Sequence, residues 1–166
     1  MKFSKTLILI LITFILLSCD NEDDSSTTEP NIDLKADSIT FSVEPITQFT
    51  GDVTITGTIT NIGDDFSSGV GQQNIRLYQK QLGAAEPGDL VASVSFQSLE
   101  AGESIQVSYT RFWNRSSPAE GEFPPDYILL IDYDPDLLID GNDNNDDSNT
   151  ENDTLIKSGS AINDLF

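Results

Sequence analysis

The residues able to do chemistry collect in three places. Between Asp132 and Asp153 lie nine acidic residues, five asparagines and no lysine or arginine. Within that run Asp140, Asn142, Asn144 and Glu151 stand at positions 1, 3, 5 and 12 of a calcium-loop count. Hard oxygen donors at those spacings are what Ca²⁺ takes. Position 6 is Asn145 where such loops carry glycine, and no flanking helices are apparent; asparagine does tolerate a positive φ better than most residues. The same composition also reads as a solvated, mobile loop between strands. Asp132, Asp134 and Asp136 alternate, so on a continuing strand their carboxylates repel along one face unless a cation binds or the backbone turns. Pro135 points to a turn.

A second cluster, Arg111, Phe112, Trp113 and Arg115, is the one place where basic and aromatic residues meet. Tryptophan and arginine dominate binding hot spots, so these are candidate partner-binding residues. The competing reading packs Trp113 against the rim of the core. The third place is Cys19, the only cysteine in a chain without histidine. No disulfide can form within the chain, and Cys-His or Ser-His-Asp nucleophilic sites and Cys/His zinc sites are excluded by composition. No acidic pair stands out as catalytic, since carboxylate chemistry needs a cleft and shifted pKa values. No glycine cluster has the strand-to-helix context of a phosphate loop.

The elements that must position these residues are strands. Val53, Ile55 and Ile59 alternate with four threonines, and strict period-2 alternation of β-branched residues makes one apolar and one polar face. Ser104–Thr110 repeats the design, as do Ile39, Phe41 and Val43. Ile75–Tyr78, Leu90–Phe96 and Thr154–Ile156 read as further strands, and Tyr127–Ile131 is apolar on both faces, as in a central strand. Turn residues punctuate the intervals. The fold class expected is all-β: an immunoglobulin-like antiparallel β-sandwich of about seven strands.

The N-terminus is different. Lys2 and Lys5 precede Leu7–Leu17, an apolar run interrupted only by Thr13. It is too short for a spanning helix, which needs about 20 residues, and has the length of an export-signal core. Leu16-Leu17-Ser18-Cys19 resembles the lipobox of bacterial lipoproteins. That resemblance implies cleavage before Cys19 and acylation of its thiol and amine, and two or three chains anchor stably where one does not. The expected organisation is a signal peptide at 1–18, a lipidated Cys19 opening a disordered acidic tether at 19–31, and one domain at 32–166. Asp20-Asn21-Glu22-Asp23-Asp24 beside the cysteine resembles the export signal that sends lipoproteins of one group of diderm bacteria to the outer face of the outer membrane. All 28 acidic residues follow Cys19, against six basic ones, for a mature charge of about −22. Such a surface repels nucleic acid, whose binding rests on Lys and Arg.

Within the domain, Asp33-Leu34, Gly51–Ile55, Ile59-Thr60-Asn61-Ile62-Gly63, Ile75–Tyr78, Leu99–Ser104 and Ile131-Asp132 follow in an order similar to the CARDB domain, an immunoglobulin-like module named for bacterial cell adhesion. The resemblance covers roughly residues 32–160. Its sharpest pieces are Asn61-x-Gly63 and Leu99-x-Ala101-Gly102-Glu103, and it departs in the longer acidic segment before the last strand. Together with the lipobox resemblance it implies a lipid-anchored, surface-exposed binding or adhesion module, and the residues themselves mark no catalytic site or cofactor apart from the candidate calcium. Its partners are the membrane, through the lipid, and a protein or glycan. The alternatives are a structural subunit of an envelope assembly, joined through an edge strand, and a carboxylate-dependent hydrolase.

Overall fold

The computed structural model describes residues 29–166. The signal peptide, Cys19 and all of the tether before Glu29 lie outside the described residues. Nine strands follow in order: β1 (Leu34–Pro45), β2 (Thr50–Asn61), β3 (Phe66–Ser67), β4 (Gln73–Lys80), β5 (Asp89–Phe96), β6 (Ser98–Leu99), β7 (Ser104–Asn114), β8 (Asp126–Tyr133) and β9 (Thr154–Ser158). Seven of them build two antiparallel sheets, ordered β1-β2-β7 and β5-β4-β8-β9; β3 and β6 pair with each other. This is the expected β-sandwich. Constant-type immunoglobulin domains divide their seven strands four and three; here the division is three and four, with β5 beside β4.

The alternation read in the sequence sets the inner faces. In β2, Val53, Ile55 and Ile59 are buried and the threonines between them face out. In β1 the period is broken by a bulge between Ala36 and Ser38, which returns Ile39, Phe41 and Val43 to the core side. Ile75, Leu77, Tyr127, Leu129 and Ile131 answer from the second sheet, and the two sets form one core. The sheets approach closely at Gly57, where a Cβ would lie 2.6 Å from Leu129 Cδ1. Phe41 and Tyr127 meet across the interior with ring centroids 5.7 Å apart.

The two sides of the sandwich are closed differently. On one side the edges β1 and β9 are tied, because Lys157 Nζ donates to Ile39 O at 2.7 Å and sits 4.9 Å from the Phe41 ring centroid. On the other, Arg111 of β7 donates to Gln79 Oε1 of β4 at 2.9 Å. The register also defines two ends. Leu34 pairs with Asn61, Thr60 with Ser104 and Gln73 with Tyr133, so the chain enters at the end where the acidic segment leaves β8. The opposite, distal end carries the β1–β2 turn, the β4–β5 loop, the segment between β7 and β8, and the C-terminus.

Candidate functional site

The acidic segment folds across the chain-entry end. Asp134 N donates to Gln72 O, Ser67 N to Asn144 O and Ser148 N to Ile32 O, and Leu137 is buried. Pro135 does mark a turn, since β8 ends at Tyr133. Asp140 turns inward on its own loop: it accepts from Asn142 N at 2.7 Å, Asn145 Nδ2 at 2.9 Å and Gln72 Nε2 at 3.1 Å. These donors, that of Asn145 foremost, hold its carboxyl below the usual range. Asn142 Oδ1 accepts from Asn144 N and Nδ2 at 3.2 Å each. Glu151 is exposed on a single helical turn, Thr150–Asn152. The positive φ falls at Gly141, directly after Asp140, while Asn145 at position 6 is buried. Among the described residues no three Asp, Glu, His or Cys side chains are placed to hold a metal. The oxygens of Asp140 and Asn142 face amide donors.

Beneath this loop lies a part-buried acidic cluster that the sequence did not single out. Asp147 Oδ2 accepts from Tyr133 Oη at 2.7 Å and Leu34 N at 3.0 Å, and its Oδ1 accepts from Asn149 N at 2.8 Å. Asp153 is buried nearby, and its Oδ1 has no protein donor. Burial above all, then the charges of Asp147 and Asp33, pushes its pKa up to about 7. Burial and the bond to Asp147 raise that of Tyr133 as well. A largely apolar depression of about 170 Å³, lined by Tyr133, Pro135, Leu137 and Leu138, opens beside the cluster. Ligand pockets run from about 300 Å³ upward, so this one suits no sizeable small molecule. A second, of about 330 Å³, holds Arg76 and Asp132, which pair with each other at 2.7 Å.

Period 2 places Arg111 and Trp113 on the inner face of β7, and each is engaged within the molecule. Trp113 is fully buried, with Nε1 donating to Asn163 Oδ1 at 2.9 Å. Arg111 donates to Gln79 and to Glu120, the latter at 2.6 Å, and lies 5.3 Å from the Trp113 ring centroid. Arg115 donates to Asn163 O at 3.0 Å and lies 5.2 Å from the Phe49 ring centroid. Together they lock the C-terminal turns, Gly159–Leu165, against the distal end.

Two surfaces stand out once the chain is folded. Ile46, Phe49, Leu82, Phe112, Phe123 and Leu165 are all exposed at the distal end. On the outer face of the four-stranded sheet the register aligns Leu90, Tyr78, Ile128 and Ile156 in one row across β5, β4, β8 and β9. Tyr78 and Ile128 are buried yet stand outside the sandwich core. The signal for this row was the two-faced apolarity of β8, which by itself does not tell a covered face from an open one. No protein-family model matches the chain, and no curated protein matches it.

Proposed function

We propose that this protein is a lipid-anchored binding or adhesion module on the cell surface, without catalytic activity, that meets a protein or glycan partner through its distal end. The observation that supports this reading is the opposition of the two ends. The chain enters beside the acidic segment, where Ile32 bridges to Asp147. Exposed aliphatic side chains lie at both ends, Ile62, Val70, Leu138 and Ile139 at the entry, but the exposed phenylalanines Phe49, Phe112 and Phe123 lie at the far end. A tether fixed through Cys19 turns the acidic end toward the membrane, where anionic headgroups repel it, and leaves the end with the exposed phenylalanines outermost. Exposed aromatic side chains on turns held by a rigid frame are what partner recognition uses.

The test is surface crosslinking on intact cells followed by capture of this protein. Phe49→Ser with Phe123→Ser is expected to lower the yield of the crosslinked partner at least tenfold. Leu138→Ser with Ile139→Ser, at the chain-entry end, is expected to leave it unchanged. Equal yields from both variants and the unaltered protein would sink the proposal.

A second reading, a subunit of an envelope assembly, has its own support in β5. From Leu90 to Phe96 this edge strand carries no charge and no proline, whereas β1 at the opposite side carries Lys35, Asp37, Glu44 and Pro45. Charges and proline are the usual guards of a free edge. Under this reading Ser93→Lys abolishes assembly; a complex of unchanged size would exclude it.

A further inference from the structure

The row across the four-stranded sheet has a property that the distal end lacks: it is complementary to itself. Leu90 and Ile156, at its two ends, are 52% and 57% exposed, while Tyr78 and Ile128 between them are 8% and 4% exposed. On one side of the row β4 carries Arg76 and β8 carries Leu130 and Asp132; on the other β4 carries Lys80 and β8 carries Asp126. Two positive and two negative charges thus frame an apolar row, on a chain whose net charge is −20. Arg76 pairs with Asp132 at 2.7 Å, and Lys80 also reaches Glu86.

We infer that this face is the contact surface for a second copy of the chain, packed sheet on sheet about a two-fold axis. Two axes bring such faces together. An axis laid along the row sets Arg76 against the partner's Lys80, like against like, and leaves Asp126 facing the partner's Leu130. An axis laid along the strands, between β4 and β8, sets β4 on the partner's β8 and β5 on the partner's β9. Around the already buried Tyr78 and Ile128, Leu90 then meets the partner's Ile156, Lys80 meets the partner's Asp126, and Arg76 meets the partner's Leu130. No like charges face each other in this second arrangement, so charge selects it. Closed two-fold dimers of this isologous kind are the commonest assemblies, and sheets stack face to face about 10 Å apart. With Glu86 on Lys80 the row is framed by two positive and three negative groups, so most of the repulsion between copies comes from charges elsewhere, which salt screens. This inference requires neither the lipid anchor nor the distal end.

Cysteine crosslinking of the full chain tests it. Leu90 and Ile156 lie on opposite edges of the sheet, about 14 Å apart at roughly 4.8 Å per strand step. Facing residues of stacked sheets have Cα atoms about 10 Å apart, beyond the roughly 7 Å that a disulfide spans. The probe is therefore a short bifunctional thiol reagent that bridges about 10 Å and not about 14 Å, so Leu90→Cys with Ile156→Cys cannot close within one copy. With that reagent the double variant is expected to give a covalent dimer of twice the chain mass, and neither single variant is. All variants carry Cys19→Ser, so that no thiol outside the row can bridge. Absence of a dimer from the double variant, equal crosslinking by the single variants, or a product of any other mass would overturn the inference. Sedimentation of the unaltered full chain stands independently of how the variants fold. The dimer fraction should rise as ionic strength goes from about 0.01 M, with screening over about 30 Å, to about 1 M, with screening over about 3 Å. A monomer throughout overturns the inference too.

Discussion

The side-chain amide of Asn61 donates to the carbonyl of Leu99 at 2.7 Å, joining the end of β2 to the approach to β7. The same amide donates to Asp64 O at 2.7 Å, and Asn61 Oδ1 accepts from Gly63 N at 3.0 Å. The backbone completes the clasp, with Asn61 N donating to Glu103 O and Gly102 N to Asn61 O. Asn61 is fully buried. Asn61→Ala therefore leaves two carbonyls and one N–H without partners and is expected to cost about 2–3 kcal/mol, read as a lower urea midpoint at unchanged slope. A loss under 0.5 kcal/mol would show that the clasp contributes nothing net.

Gly57 and Leu129 set the spacing of the sheets. Gly57→Ala drives a methyl against the Leu129 side chain and should cost about 1–3 kcal/mol by overpacking. Leu129→Val in the same chain should recover part of that loss, and a double-mutant cycle measures the coupling. Strict additivity would mean that the strain is taken up elsewhere.

Asp153 makes stability fall as pH rises. Its carboxyl titrates near about 7 in the folded chain, against about 3.9 unfolded. The folded state therefore holds a proton that the unfolded state releases. The stability this contributes is complete below the unfolded value and is lost as pH climbs through the folded one. Between about pH 4 and pH 7 the chain should become easier to unfold through this group. Asp153→Asn should flatten that slope and make the chain the more stable of the two at pH 8. Parallel pH profiles for the two proteins would refute the assignment.

Asn163→Ala removes the acceptor of the Trp113 indole and frees the C-terminal turns. Buried Trp113 keeps its packing, so the expected loss is about 1–2 kcal/mol. Hydrogen exchange should quicken in residues 159–166 and stay slow in β2 and β8. Uniform quickening would mean that the C-terminus folds as one unit with the sheets.

Most of the sheet structure was legible because period 2 is a local property. Ile55 or Val107 points inward whatever the rest of the chain does. The clasp was half legible: Asn61-x-Gly63 and Leu99-x-Ala101-Gly102-Glu103 stood out separately, but their contact spans 38 residues and leaves no mark on either piece. Gly63 makes the same point, since its Cβ would fall 2.2 Å from Asn31 O, at the start of the domain. The partners of Arg111, Trp113 and Arg115 were hidden because the C-terminal turns have no periodicity. In the acidic segment, composition conveyed charge but not the buried anchors Leu137 and Asn145, around which that charge is arranged. The outward row through Tyr78 and Ile128 was hidden because the apolar residues on both faces of β8 look alike from sequence.

The central claim is that Cys19 holds this sandwich to a membrane, and the mass of the mature protein extracted from the membrane fraction tests it most directly. Lipidation predicts a polypeptide beginning at Cys19 and carrying a diacylglyceryl group with a further acyl chain, and Cys19→Ser should abolish that species. An unacylated chain, or one that retains residues before Cys19, would contradict it.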